Sequence, residues 1–459
     1  MPVPVIAVFD VGKTNKKLFL FDEAYQIVFE KSSQFSETVD DDGDPCEDLA
    51  GLQFFIEDGL RTVLALKDFK IRAVNVSAYG ASLVYVDEKG KHTGYLYNYL
   101  KPYPPHLRKQ FYETYGGEKQ FSFQTASPVL GSLNSGMQLY RLKYEKPGFY
   151  NGIKYALHLP QYLSFLLSGK AFSEITSIGC HTNLWHFQNM EYHYWVKREG
   201  ILDKLPPLAP SDMVVQPASI QHSHTVGVGL HDSSAALIPY LVSFTEPFVL
   251  ISTGTWAITL NPFNHTPLTR SELECDCLCY LQYRGTPVKA SRLFAGHFHE
   301  TQVERIAGHY NQQKDRYFSL SFDQKIMHEI DVAFDPAGAN TQAMLKEPRF
   351  VSRELSGFAS DVHAYHQLIF DLVAQQFLST QLVLNGTSVK RIFVDGGFSN
   401  NAIYMNLLAA FFPTMEVFAS SIPQATAIGA ALAIHEAWNG EPFPSQIIDL
   451  KHYPAKPIS

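Results

Sequence analysis

The segment Ile6-Ala7-Val8-Phe9-Asp10-Val11-Gly12-Lys13-Thr14-Asn15-Lys16-Lys17 sets a carboxylate, a glycine and a hydroxyl at alternate positions. A carboxylate at a strand end suits a hard cation such as Mg²⁺, held directly or through water. Glycine lets the backbone approach an anion, and nearby N–H and hydroxyl groups donate to phosphate oxygens. Gly12-Lys13-Thr14 also matches the end of the phosphate loop G-x-x-x-x-G-K-[ST]. The early glycine of that pattern falls on Ala7, inside the apolar run 5–9. A strand stands where the loop would begin, so that reading fails. What remains is a strand-turn-strand hairpin with Asp10, Gly12 and Thr14 at its turn. Lys13, Lys16 and Lys17 could add charge, and alternation puts Lys13 and Lys17 on one face. Taken alone, an ordinary hairpin with solvated lysines explains it better.

Further segments favour a nucleotide site. Ser252-Thr253-Gly254-Thr255-Trp256 repeats strand, glycine turn, strand when aligned on Gly12 and Gly254. Asp395-Gly396-Gly397-Phe398-Ser399-Asn400-Asn401 is a Gly-Gly turn from strand into helix. Gly229-Leu230-His231-Asp232 brings a carboxylate to the start of an Ala-rich helix. There it can take a proton from a hydroxyl during phosphoryl transfer. Capping the helix is the commoner task for such an aspartate, and one residue can do both.

The elements that must hold these residues are legible as patterns. Strands are predicted over 6–9, 17–21 and 25–29, a helix over 48–66, and strands over 71–77 and 82–86. This β-β-β-α-β order predicts an α/β domain. The acidic stretch 39–45 reads as a loop with solvated charge. In the second half, a strand over 391–394 enters the Gly-Gly turn and a helix over 402–412. A helix over 425–438 carries small residues that permit close packing. Cys275, Cys277 and Cys279 lack the spacing of a metal knuckle and read as one face of a strand.

Bulk properties narrow the class. The chain has 459 residues, 46% of them hydrophobic, and a net charge of −8, which predicts a globular protein of two domains. No dense basic run is present, which disfavours a nucleic-acid partner. No uninterrupted apolar stretch of about 18 residues predicts a membrane span. The N-terminus lacks a basic leader, and five cysteines suit a reducing compartment, so a cytoplasmic protein is expected.

In this order, these motifs resemble the FGGY family of carbohydrate kinases over nearly the whole chain. Asp10-x-Gly12-x-Thr14-x-x-Lys17 matches its first phosphate motif, and Gly229-x-His231-Asp232 the segment of its catalytic aspartate. Ser252–Trp256 matches the second phosphate motif in the form of the rhamnulokinase branch. Asp395-Gly396-Gly397-x-Ser399-x-Asn401 matches the adenosine motif, and Ala425-Thr426-Ala427-x-Gly429-Ala430-Ala431 the small-residue helix beside it. Leu159-Pro160-Gln161-Tyr162-Leu163 resembles a further family segment. The resemblance implies two ribonuclease-H-like domains of the actin/hexokinase superfamily, here 1–244 for the sugar and 245–459 for the nucleotide, with the site in the cleft between them. It implies ATP and Mg²⁺ as cofactors, Asp232 as catalytic base and Asp10 as the metal ligand. Gly12, Thr14, Asn15, Lys17, Thr253, Gly254, Thr255, Gly296, Gly396, Gly397 and Asn401 join Asp10 around the nucleotide. Tyr79, Gly80, Ser82, His181 and His231 face the sugar.

The sugar motifs depart from the family. Tyr79-Gly80-Ala81-Ser82 stands for a rhamnulokinase Trp-Gly-Val-Asp, so serine replaces a carboxylate. Tyr97-Asn98-Tyr99-Leu100-Lys101 stands for Tyr-Arg-Asp-x-Arg, and Gly296-His297-Phe298 for Gly-x-Trp. The expected activity is transfer of the ATP γ-phosphate to a hydroxyl of a deoxyketose such as L-rhamnulose or L-fuculose. A xylulose- or ribulose-type pentulose kinase is the alternative, as is a silent sugar- or nucleotide-binding regulator on the same fold. A homodimer is possible, and neither nucleic acid nor membrane is an expected partner.

Overall fold

A computed structural model describes the chain except residues 218–223, 337, 339, 445 and 458–459. The chain folds into two compact units. The first comprises Met1–Ser243, Cys279–Pro287 and Pro423–Ile447, and the second Phe244–Leu278, Val288–Ile422 and Ile448–Ser459. A single cut after residue 244 therefore does not separate them. The physical reason is the helix Ala425–Ala433, whose small residues pack in the first unit although it lies late in the sequence.

The first unit is built on a sheet in the order Val214–Val215, Thr225–Gly227, Phe69–Ala78, Val3–Val11, Lys16–Asp22, Ile27–Ser33. Val3–Val11 runs antiparallel to Lys16–Asp22 and parallel to Phe69–Ala78. The short strand Leu230–His231 also pairs parallel with Phe69–Ala78. Val5, Ala7, Phe9 and Val11 pack with Leu18, Leu20 and the helices Leu49–Leu64 and Leu159–Ser168. Asp48 caps the first of these helices by accepting from the Gly51 N–H. A second core of the same unit gathers aromatic rings around Phe111, including Tyr115, Tyr140 and Trp195.

The second unit repeats the plan. Its sheet includes, in spatial order, Pro287–Leu293, Ala257–Asn261, Phe248–Thr253, Arg391–Gly396, Glu416–Ser421 and Asp449–Tyr453. Again an antiparallel hairpin, Phe248–Thr253 with Ala257–Asn261, has a parallel neighbour, Arg391–Gly396. The long helix Asp361–Leu384 packs with Ala295–Tyr310 and Ala402–Phe411 into one core.

Two local readings change. The cysteine-bearing strand is Cys277–Leu281, while Cys275 caps the preceding helix Arg270–Glu274 and Asp276 between them has φ 61°. Left-handed Asp276 breaks the alternation, so only Cys277 and Cys279 share the strand. The acidic stretch is not merely solvated. It wraps the buried Lys101 ammonium, whose Nζ lies 2.5 Å from Asp40, 2.8 Å from Asp42 and 2.9 Å from Asp44. The lysine takes the place a cation would have in such a loop. Its hydrogen bond holds Asp42 down at about 2, with Lys146 adding to the effect.

Lys101→Met should therefore leave carboxylates uncompensated and cost about 3 kcal/mol near neutral pH, at the low end for buried pairs because Asp42 and Asp44 are partly exposed. The depressed Asp42 contributes stability above its ordinary 3.8 and loses it as pH falls toward about 2. Urea unfolding at neutral pH and near pH 2 should show the difference between variant and wild type shrinking in acid.

Candidate active site

The sheet register sets the chemistry of the first unit. Asp10 stands opposite Lys17 on one side and Ser77 on the other, and Leu230 pairs with Ser77. The carboxyl ends of parallel strands are where α/β sheets bind ligands. The chain then turns from His231 into the helix Asp232–Ser243, so Asp232 emerges beside the end that carries Asp10.

Both carboxylates are half-buried and pushed up to about 6. Burial is the main cause for each; the Asp232 charge raises Asp10 further, against the Thr426 hydroxyl and Lys17. Asp232 Oδ1 accepts from the Ser233 N–H at 2.6 Å and the Ser233 hydroxyl at 3.3 Å. His231 Nε2 lies 3.3 Å from the same oxygen. Among the described residues no donor bonds Oδ2. The helix cap and the open oxygen thus coexist on one side chain.

His231 is a wall rather than an open contact. It is 4% exposed, and burial lowers it to about 4, so it is neutral. Its Nε2 is 3.5 Å from Cys180 Sγ, and its ring stacks with Tyr280 at 6.3 Å and meets His181 edge-on at 6.5 Å. A Cβ on Gly80 would lie 2.6 Å from the His231 ring, which is why a glycine stands there. Ala81 and His181 both have left-handed backbones, φ 61° and 41°. Strain of this kind collects at functional sites. The Tyr79 hydroxyl donates to Glu47 at 3.0 Å, and Ser82 is buried. Tyr99 packs beside Tyr79 at 6.1 Å and feels the Asp232 charge, whereas the Tyr97 hydroxyl turns away to Asp41 at 2.9 Å.

The hairpin lysines are already engaged. Lys13 pairs with Glu37 at 3.0 Å, buried Lys16 with Glu47 at 2.5 Å, and Lys17 with Glu30 at 3.1 Å. The Asn15 carbonyl accepts the Gly12 N–H, and the Asn15 side chain accepts from Gln34. Thr14 is exposed. Two carboxylates without a dedicated ammonium, one oxygen of Asp232 open, fit a hard divalent cation that keeps some of its waters.

In the second unit a cavity of about 270 Å³ is lined by Gly254, Gly296, His299, Phe318, Gly397, Phe398, Asn400 and Asn401. Its glycines do different work. Gly254 and Gly397 face open space, whereas a Cβ on Gly296 would strike the Gly254 carbonyl and one on Gly396 the Thr253 carbonyl. Gly396 is also left-handed at φ 77°. The Thr253 hydroxyl donates to the Asp395 carbonyl and accepts from the Phe398 N–H, so it locks two turns together and is not aimed at a ligand. Thr255 is exposed, and its carbonyl accepts the Gly296 and His297 N–H groups. Asn401 caps the helix Ala402–Phe411 and donates to the Tyr365 hydroxyl at 2.8 Å. That hydroxyl lies 3.1 Å from His299, a histidine lowered to about 4 by burial.

Residues 5–238 match the N-terminal domain of the FGGY family of carbohydrate kinases, and residues 245–442 match the carbohydrate kinase FGGY C-terminal domain. The chain belongs to the FGGY family. It is an ATP-dependent carbohydrate kinase, with Mg²⁺ as the accompanying ion. A rhamnulokinase of Mannheimia succiniciproducens is 23% identical, over 99% of this chain and 95% of the relative. A carbohydrate kinase from Novosphingobium aromaticivorans has a similar structure, with TM-score 0.78 at 21% identity over 99% of this chain and 95% of that one. A ligand-bound xylulose kinase from Lactobacillus acidophilus gives 0.77 at 15% identity, over 98% and 94%. The fold is that of these carbohydrate kinases. No helix among the described residues is long and apolar enough to cross a membrane.

Sequence reading named Thr426 only as part of the small-residue helix, and it missed His299, Phe318 and Tyr280. Thr426 Oγ1 donates to Asp10 Oδ2 at 2.8 Å. Its one signal was a lone hydroxyl in a run of Ala and Gly.

Turnover that needs these carboxylates ionised should fall as pH drops through about 6, and stay level above it, because the raised pair is protonated there. A kcat/KM profile of the free enzyme measures this; an acid limb near 4 would mean ordinary carboxylates. The glycines give a second test. Gly397→Val, which projects into the cavity, should raise the KM for ATP more than that for sugar. Gly396→Val should instead lower the thermal midpoint.

Proposed function

We propose that Asp232 is the general base and that Asp10 holds Mg²⁺, directly or through water, in a kinase whose acceptor is a small ketose. The observation that carries this is the Asp232 carboxylate, with one oxygen held by Ser233 and the other open, raised to about 6 beside Asp10. A base so tuned is ionised at neutral pH yet basic enough to accept a proton in the transition state. Asp232 takes the proton of the acceptor hydroxyl as that oxygen bonds to the γ-phosphorus and the bond to ADP breaks. Mg²⁺ held at Asp10 would supply charge neutralisation for the phosphates. In the second unit, Gly254 and Thr255 offer exposed polar groups to phosphates, and the cavity at Gly397 and Phe398 takes the nucleoside. The first unit would bind the sugar and the second the nucleotide.

For the acceptor, the rhamnulokinase relative supports a 6-deoxyketose such as L-rhamnulose or L-fuculose. Half-buried Tyr99 beside Asp232 supports the same choice, since an aromatic face suits an apolar methyl or ring face. Buried, uncharged Ser82 removes a charge-assisted contact that would otherwise read a hydroxyl.

Rhamnulose, fuculose, xylulose, ribulose and glycerol should be compared by ADP release under one condition, with wild type and Asp232→Asn. A deoxyketose should show the highest kcat/KM. Asp232→Asn should lower kcat by about 10²–10⁴ and leave ATP affinity nearly unchanged. Wild-type turnover in that variant would remove Asp232 from the role. A pentulose or glycerol optimum would overturn the acceptor and leave the kinase intact.

A further inference from the structure

In the helix Ala425–Ala433 every residue but Thr426 is Ala, Gly, Ile or Leu. A mid-helix threonine commonly bonds a carbonyl of its own preceding turn. Thr426 is the second residue of its helix, and its hydroxyl bonds Asp10 Oδ2 at 2.8 Å across 416 positions of sequence. The helix is seated at two further points. Gly429 abuts the Ala235 carbonyl, where any Cβ would collide, and Asn75 donates to the Ala430 carbonyl at 2.7 Å. Asn75 belongs to the strand Phe69–Ala78, which pairs directly with the strand of Asp10. The helix entry is costly: Gln424 is left-handed at φ 55° and its side chain makes no capping bond. The Thr426 hydroxyl is therefore held by the sheet that carries its acceptor.

We propose that Thr426 is a positioning residue for the metal-binding carboxylate. This rests on the reading of Asp10 as the Mg²⁺ ligand. A carboxylate turns easily about its last bond. The Thr426 hydroxyl takes one oxygen and fixes that rotation, which leaves the other oxygen for the cation or its water. Partners of metal ligands act in this way, and losing one weakens metal binding by about 10- to 100-fold.

The test uses the full chain with Mn²⁺ in place of Mg²⁺, titrated with ADP present and followed by electron paramagnetic resonance, alongside kcat with Mg²⁺. Thr426→Val keeps the shape and loses the hydroxyl; Thr426→Ser keeps the hydroxyl. Thr426→Val should bind Mn²⁺ about 10-fold more weakly or worse and lose turnover, while circular dichroism and the thermal midpoint stay near wild type. Thr426→Ser should stay near wild type in all of these. Thr426→Ala, run in parallel, should move as valine does and decides the matter if valine does not fold. Asp10→Asn separates the two readings. If Asp10→Asn loses Mn²⁺ while Thr426→Val binds it like wild type, the positioning role alone is overturned. If Asp10→Asn binds Mn²⁺ like wild type, Asp10 is not the ligand and both fall.

Discussion

Two carboxylates are kept half out of water, close enough that the charge of Asp232 raises Asp10, with no ammonium of their own. Removing a charge from water is costly unless something compensates it. Asp10 and Asp232 accept that cost together, and the surrounding cations do little to relieve it. Lys13, Lys16 and Lys17 sit on the same hairpin, yet each is taken by a glutamate. Lys17 lowers Asp10 only in part. The local charge therefore stays negative in a place shaped by strand ends, which favours a divalent ion and its phosphate cargo. Much of the neighbouring architecture serves this balance. Glu37, Glu47 and Glu30 hold the lysines, Ser233 holds one Asp232 oxygen with the His231 ring beside it, and Gly80 leaves room for that ring.

The same carboxylate chemistry is handled differently at Lys101. There three aspartates converge on one buried ammonium, and the cluster is neutralised from within. One loop is closed by its own lysine and the other pair of acids is left open. The contrast shows that the chain places its positive charge selectively, and that an acidic cluster alone says little about metal.

How much was legible depends on the distance between cause and effect. The placement of Asp10 near a strand end and of Asp232 at a helix start was readable because strand ends, glycine turns and helix starts are local patterns. The strands around Asp10, the Asp48-capped helix and the Gly-Gly turn were readable for the same reason. Thr253 was not, since its hydroxyl is used by Asp395 and Phe398, more than a hundred residues away. Asn401 lines the second-unit cavity, but its amide is also divided between its own helix and Tyr365, which no local pattern shows. The acidic loop looked solvated because Lys101 lies some sixty positions along the chain. Left-handed Asp276 interrupts a cysteine alternation that looked continuous. In each case periodicity located the element, and a long-range partner decided what the side chain does.

The return of Pro423–Ile447 to the first unit bears on how the molecule is made. A ribosome delivers the N-terminal sheet first, and domains usually condense in that order. Here the Asp10 strand is made early, and its hydroxyl partner is encoded 416 codons further on. The nascent first unit must wait, with the groove for a small-residue helix unfilled, until the helix Ala425–Ala433 has been made. Pairings that span so much sequence are slow to close. Activity is thereby tied to synthesis past that helix: a polypeptide truncated before residue 423 lacks the helix that seats against Asp10, however well its own strands have formed.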